Sequence, residues 1–119
     1  MKNAEKDLAP RTKLFARAVI RMFSRLSKDI PAQILGRQVL RSGTSVGANY
    51  REASRARSKP EFIAKIGDCL KEADETAYWL ELLAEESFLP QTELEPPQQE
   101  ADELVAIFVT ISKRARGAA

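Results

Sequence analysis

Four arginines on one predicted helix are the residues of this sequence best suited to chemistry with an anion. At about 100° per residue they fall within an arc of roughly 80°. They are Arg37, Arg41, Arg51 and Arg55. Thr44 and Ala48 lie between the two pairs and are small enough to let a phosphate or another backbone approach. Because a guanidinium makes bidentate bonds to phosphate, the arc predicts contacts to the backbone of RNA or DNA.

A second basic stripe lies on the preceding helix. It comprises Arg17, Arg21, Arg25 and Lys28, and no acidic residue occurs from position 11 through position 28. The asymmetry extends along the chain, because residues 1–59 contain fourteen Lys/Arg and four Asp/Glu, whereas residues 60–119 contain five and thirteen. A basic half joined to an acidic half indicates either an anionic partner or electrostatic pairing between segments, and both interpretations stay open.

Carboxylates gather on the predicted third helix. Asp68, Glu72 and Glu75 share a face with Trp79 and Leu82, about 100° from the apolar seam. An exposed tryptophan and leucine favour self-association, so we expect an oligomer interface that flanks the core. Its predicted residues are Glu72, Glu75, Trp79 and Leu82. Catalysis by paired carboxylates is the alternative, but it requires a cleft and a substrate that nothing else in the sequence indicates.

Histidine is absent, and cysteine occurs once, at Cys69. The sequence therefore excludes a Ser-His-Asp triad, a Cys-His pair, a His-rich zinc site, a Glu-x-x-His di-iron motif and an internal disulfide. We expect a protein that is not an enzyme, with no metal and no cofactor, and with Cys69 as an inert core residue. No apolar run reaches the ~18–20 residues of a membrane span, and the N-terminus lacks a signal-peptide core. These features predict a cytoplasmic protein with no membrane partner.

The elements that must position these residues are helices. Apolar residues recur at spacings of three and four, and no segment shows the alternation of a strand. The predicted helices span about 12–28, 31–56, 59–86 and 97–116, with disordered tails over 1–9 and 117–119. The start of the fourth helix has an alternative at Thr92, because Pro96 and Pro97 either delay it or lie within it. Four such helices with short connections predict one antiparallel up-down-up-down bundle.

Individual residues refine this expectation. Ser58 and Glu61 form a capping box at the start of the third helix. Asn49 lies on the apolar seam of the second helix, where a buried asparagine fixes register. Gly43 and Gly47 lie four residues apart on one side of that helix, which permits a neighbouring helix to approach closely.

Three separated blocks resemble one known family. They are RSGTSVGANYREA (41–53), SKPEFI (58–63) and KEADETAYWLELL (71–83). They occur in the same order in the bacterial four-helix-bundle family named for the 23S rRNA intervening-sequence protein. The resemblance extends from about Leu14 to Leu89, and the fourth helix is similar only in general character.

This resemblance implies a left-handed bundle that assembles as a ring-shaped homopentamer, without catalytic residues. A related branch, the accessory variability determinant protein of diversity-generating retroelements, is a basic pentamer that binds nucleic acid and a reverse transcriptase. On this view Asn49, together with the block that contains Glu72, Glu75, Tyr78 and Trp79, shapes the bundle and the ring.

We therefore expect a non-enzymatic oligomer that binds the backbone of RNA or DNA. The predicted contact residues are Arg17, Arg21, Arg25, Arg37, Arg41, Arg51 and Arg55. The alternative is a protein–protein scaffold, in which the basic and acidic stripes pair between subunits and a protein is the partner.

Overall fold

The computed structural model describes residues 2–117, with side chains from residue 8 onward, and every regular element in that range is a helix. The helices are α1 (Lys2–Ser24), α2 (Ile30–Ser54), α3 (Lys59–Glu85) and α4 (Gln91–Gly117). Each helix packs against the next along the chain, and α1 and α4 close the structure with a looser contact. Loops of four or five residues make consecutive helices antiparallel. The predicted all-α four-helix bundle is confirmed, with dimensions of 48 × 20 × 20 Å.

Each helix contributes a seam of buried side chains at alternating steps of three and four. The seam of α3 consists of Ile66, Cys69, Ala73, Thr76, Leu80 and Leu83, as its sequence spacing predicts. The four seams form a single apolar core. Because full burial of one large aliphatic side chain contributes about 1.5–3 kcal/mol, this core is the main source of stability.

Two hydroxyl groups link α2 to α3 inside the core. Thr76 Oγ1 lies 2.7 Å from Ser42 Oγ, and Ser42 Oγ donates to the carbonyl oxygen of Gln38 at 2.9 Å. Asn49 is only half-buried, and its amide donates to the carbonyl oxygen of Ser45 in the same helix. The prediction that Asn49 fixes register from a buried position is therefore corrected. Ser42 and Thr76 make the buried polar contact between helices instead.

Glycines on one side of α2 allow α1 to pack closely against it. A methyl group at Gly43 would lie 2.9 Å from Val19 Cγ2, and one at Gly47 would lie 3.1 Å from Thr12 Oγ1. Gly36 faces α1 in the same way. The close helix approach predicted for Gly43 and Gly47 is confirmed, because a side chain at Gly43 would overlap with Val19 and one at Gly47 would lie unusually close to Thr12.

The first helix begins well before the predicted start at about residue 12. Residues 2–9 are helical, so the prediction of a disordered tail over 1–9 is wrong there, and Met1 lies outside the described residues. Leu8 is fully buried and extends the apolar seam beyond Pro10, which gives the helix a tertiary reason to continue. At its other end α1 stops at Ser24 rather than at the predicted residue 28. Directly after Ser24, the N–H groups of Arg25 and Leu26 donate to carbonyl groups three residues back.

The fourth helix begins at Gln91 rather than at about residue 97, with Pro96 and Pro97 inside it. The two prolines remove two backbone N–H donors, but Leu94 and Pro97 are buried and continue the seam of α4. Burial thus outweighs the lost hydrogen bonds. At the C-terminus the helix includes Gly117, and the rest of the predicted tail over 117–119 lies outside the described residues. The ends of α2 and α3 differ from prediction by at most two residues.

The N-terminus of α3 has the predicted serine cap with one change. The N–H of Glu61 donates to Ser58 Oγ at 3.2 Å. The Glu61 carboxylate accepts the N–H of Arg57, also at 3.2 Å, whereas the capping box predicts that it accepts the N–H of Ser58. The reciprocal bond therefore lies one residue earlier along the chain.

Ser87 is the residue that ends α3, and its backbone is left-handed with a φ of 59°. The N–H groups of Ser87 and Phe88 donate to the carbonyls of Ala84 and Leu83, which is a Schellman motif. Because glycine adopts this conformation without steric cost, Ser87→Gly is expected to raise the free energy of unfolding by about 0.5–1 kcal/mol. Thermal unfolding measures the change. Ser112→Gly inside α4 serves as the control and is expected to lower it, and an equal effect at both positions would contradict the motif.

Candidate nucleic-acid interface

A groove of about 430 Å³ runs between α1 and α2. Its lining is made of small residues, with Thr12, Ala16, Thr44 and Gly47 at the floor and the exposed Ala9 and Ala48 beside them. Its rims carry Lys13 from α1, Arg51 from α2 and Arg55 from the C-cap of α2, all three exposed. Among the described side chains, no carboxylate lies within 4.0 Å of these three cations. We call this feature the α1–α2 groove.

One carboxylate, that of Glu52, also lines the α1–α2 groove. Its Oε1 atom lies 2.5 Å from Lys65 Nζ on α3, so its charge is matched by a lysine outside the groove. The hydrogen bond and charge of Glu52 raise the pKa of Lys65. With a raised folded-state pKa, this interaction is complete at neutral pH and is lost only as the pH rises through that value. At neutral pH Glu52 is therefore paired with Lys65 rather than with the rim cations.

The structure separates the other predicted arginines rather than gathering them in one place. Arg17 and Arg37 are exposed, and no described carboxylate lies within 4.0 Å of either. Arg21 and Arg25 line a second groove, of about 340 Å³, between α1 and α4. There Arg25 Nη1 lies 3.4 Å from Glu93 Oε1. The first-helix stripe therefore faces partly towards α4 and not only towards solvent.

Arg41 points towards α3 and bonds to carboxylates of its own chain. Its Nη2 atom lies 3.0 Å from Glu75 Oε1, and its Nη1 atom lies 3.5 Å from Glu72 Oε1. Two of the predicted interface carboxylates thus already have a basic partner within the chain. Arg41 is the predicted contact residue whose charge is most fully compensated.

The predicted exposure of Trp79 is wrong, because its indole is half-buried and packs against the edge of the core. Leu82 is also half-buried. The exposed aromatic residue is Tyr78, whose ring contacts the Trp79 ring edge-on at a centroid distance of 5.1 Å. Trp79 Nε1 is buried and has no hydrogen-bond partner among the described residues.

Tyr78 also lines an acidic groove of about 520 Å³ between α3 and α4, beside Asp74 and Asp102.

Arg11 closes the loose contact between α1 and α4. Its Nε lies 2.6 Å from Glu100 Oε2, and its Nη2 lies 2.7 Å from Glu103 Oε1. The Glu100 hydrogen bond and the neighbouring negative charges raise the pKa of Arg11 further above its usual value. No sequence pattern predicts this cluster, because the partners lie 89 and 92 residues apart along the chain. Arg11 is thus a structural ion-pair residue and not a free cation.

Cys69 is fully buried, as predicted, and burial raises the pKa of its thiol to about 12. Since the thiolate is the reactive form, we expect no labelling of the native protein by a disulfide reagent at pH 8, and complete labelling after unfolding in urea. The unfolded thiol ionises near pH 9, so stability is unaffected below that pH and falls as the pH rises towards 12. Rapid labelling of the native protein would contradict the position of Cys69 in the seam.

Two further observations concern residues 2–117. No helix in this range combines the length and the apolar character needed to cross a membrane. Among the side chains of residues 8–117, no cluster of three or more His, Cys, Asp or Glu residues is placed to hold a metal ion.

Comparisons with known proteins agree with the three sequence blocks. The family model of the 23S rRNA-intervening sequence protein matches residues 7–110. The chain is also similar to a crystal structure from Bacteroides thetaiotaomicron VPI-5482, a protein with unknown function from the S23 ribosomal protein family. The TM-score is 0.84 at 34% identity, and the match covers 92% of this chain and 97% of that chain. No curated protein matches the chain.

Proposed function

Because this chain belongs to the 23S rRNA-intervening sequence protein family, we propose that it is a non-enzymatic, oligomeric protein that binds the phosphate backbone of RNA or DNA. The observation that carries the proposal is the set of uncompensated cations on α1 and α2. Among the described side chains its members are Lys13, Arg17, Arg21, Arg37 and Arg51, together with Arg55 directly after the last residue of α2. Exposed guanidinium and ammonium groups without carboxylate partners are the groups that neutralise phosphates and release counterions.

The distribution of charge over the bundle supports this proposal. Most acidic residues belong to α3 and α4, whereas α1 and α2 carry most of the arginines. One side of the bundle therefore attracts anions, although the net charge is only +2. We propose that the protein acts in the cytoplasm, and assembly as a ring-shaped homopentamer, which the family resemblance implies, would repeat this surface five times. Binding is then expected to be strong at low salt and weakly dependent on base sequence.

Fluorescence anisotropy across a salt series tests the proposal. We expect nuclease-treated protein to bind labelled RNA or DNA at low salt, with a log–log salt slope of roughly −3 if four cations contact phosphate. Replacing Arg37, Arg51 and Arg55 together by glutamine is expected to weaken binding at least tenfold and to flatten the slope by about 2–3. Circular dichroism checks that the variant remains helical.

The control removes the same number of positive charges elsewhere. Arg41 is paired within the chain, and Lys71 and Lys113 lie on α3 and α4. Replacing these three residues by glutamine is expected to change affinity by less than about threefold, because they lie outside the set of uncompensated cations. Equal losses in both triple variants would mean that net charge, not this surface, governs binding. An absence of binding by the wild type at low salt would overturn the proposal.

A scaffold that binds protein is the second candidate, and one observation favours it. The buried Nε1 of Trp79 lacks an acceptor among the described residues, and it lies beside the exposed Tyr78 and close in sequence to Glu72, Glu75 and Leu82. An unsatisfied indole N–H costs about 1–3 kcal/mol, which an acceptor from an incoming chain would relieve after a small side-chain rotation. Light scattering should then give five times the chain mass of 13.3 kDa, and Trp79→Ala or high salt should dissociate the assembly. An assembly indifferent to both would count against this candidate.

A further inference from the structure

We propose that the α1–α2 groove seats one single-stranded phosphodiester backbone, with Lys13 on one side of the strand and Arg51 and Arg55 on the other. This inference rests on the proposed function, and it assigns a place and a ligand class to the contact. Lys13 is a contact residue that is not among those predicted from the sequence. The sequence signal for it is its position four residues before Arg17 on α1.

The width of the groove selects a single strand. The axes of adjacent packed helices lie about 8–10 Å apart, so the surface groove above the α1–α2 contact is no wider than this, and one extended chain can lie along it whereas a duplex is too wide. A duplex would contact only the rims. Arg51 and Arg55 are four residues apart, which is about 6 Å along the helix and close to the separation of neighbouring phosphates in a chain. Arg37, about 21 Å further along α2, extends the same track.

The floor of the groove explains why phosphates, and not bases, would be recognised. Thr12 Oγ1 donates to the carbonyl oxygen of Leu8 at 2.6 Å, and Thr44 Oγ1 donates to that of Leu40 at 2.8 Å. Both hydroxyl hydrogens are therefore used within their own helices. The remaining floor residues are alanine and glycine, and no aromatic ring is among the described lining residues. Base-edge readout and base stacking are absent, so the rim cations supply the contacts.

Small floor residues also let the strand approach the rims. Ala16 and Ala48 line the groove from α1 and α2, and larger side chains there would fill it. Gly47 lies between them, where the two helices are in close contact near Thr12. A backbone seated on this floor would bring its phosphates between Lys13 and Arg51.

The test fills the groove without changing its charge. The variant Ala16→Leu/Ala48→Leu keeps helix-favouring residues and all cations. With a labelled oligothymidylate long enough to span the bundle, we expect this variant to bind at least tenfold more weakly than wild type at low salt. With a labelled duplex, which touches only the rims, we expect less than a twofold change. The matched control, Ala64→Leu/Ala106→Leu, places the same side chains at exposed sites on α3 and α4 and is expected to bind as wild type.

The outcomes separate this inference from the proposed function. If the filled variant binds oligothymidylate as wild type while Arg37→Gln/Arg51→Gln/Arg55→Gln does not, the groove is not the seat and the proposed function stands. If neither variant loses affinity, both are overturned. Equal losses for oligothymidylate and duplex would also overturn the single-strand seat.

Oligouridylate tests whether the groove discriminates RNA from DNA. We expect it to bind within about threefold of oligothymidylate, since contacts go to phosphate. A large preference for either would contradict a phosphate seat. Thermal unfolding verifies that each variant is folded.

Discussion

Gly43→Val is expected to lower the free energy of unfolding by about 2–3 kcal/mol. A methyl group at this position would lie 2.9 Å from Val19 Cγ2 and 3.1 Å from its Cγ1. Because Val19 is fully buried and β-branched, rotation cannot remove both of its methyl groups from the contact. The two helices must therefore separate. Urea denaturation with helical circular dichroism measures the loss.

The control for this prediction is a glycine with space around it. Gly67 lies inside α3, and nothing would lie within 4 Å of an added methyl group there. Gly67→Ala is expected to raise the free energy of unfolding by about 0.5–1 kcal/mol, since alanine loses less conformational freedom in a helix. Stabilisation by both substitutions would mean that α1 does not pack closely against Gly43.

Phe108→Ala is expected to have the largest effect on stability, a loss of about 3–5 kcal/mol. Phe108 is fully buried on the seam of α4, and its ring centroid lies 6.3 Å from that of Tyr50 on α2. Removal of the Phe108 ring leaves a cavity between α4 and α2. For a chain of this length the loss corresponds to a decrease in Tm of roughly 10–20 °C. Differential scanning calorimetry measures the shift.

Two comparisons distinguish the cavity from a general effect of substitution. Phe108→Leu retains most of the volume and is expected to cost less than about 1.5 kcal/mol. Tyr78→Ala removes an aromatic ring that is 53% exposed, and its effect is expected to stay within about 0.5 kcal/mol. A loss at Phe108→Ala no larger than that at Tyr78→Ala would contradict the packing of α4.

The fold was predictable because the pattern that specifies it is local. Ile66, Cys69 and Leu80 belong to a spacing visible in the sequence, and all are fully buried. The family resemblance, which rests on three blocks, is confirmed by the family match and by the similar crystal structure. Periodicity thus gives the number of helices and their buried faces without any tertiary information.

The helix ends were less predictable because tertiary burial competes with local rules. Proline disfavours continuation of a helix, which predicts later starts for α1 and α4. Leu8 and Leu94 are fully buried, however, and each lies before the prolines of its helix. A single apolar residue on the N-terminal side of a proline does not show, from the sequence alone, that the core extends to it.

The candidate interface was predictable in composition but not in pairing. The sequence places Arg41 and Arg51 on one arc, yet Arg41 bonds to α3 while Arg51 lines the α1–α2 groove. Trp79 lies at the boundary between the seam and the solvent face, where an angle on a helical wheel cannot distinguish half-burial from exposure. Which cations remain uncompensated depends on neighbouring helices, and spacing along one helix does not contain that information.

The loose contact between α1 and α4 has a consequence for hydrogen exchange. A helix that has one loose contact separates from the remainder at a lower free-energy cost than global unfolding. The contact of α1 with α4 includes the ion pairs of Arg11, and Arg25 directly after α1 adds another, whereas α2 and α3 are each packed between two closely contacting helices. Backbone amides of α1 should therefore exchange with deuterium before those of α2 and α3. Each such opening removes one wall of the α1–α2 groove while the three-helix remainder stays folded.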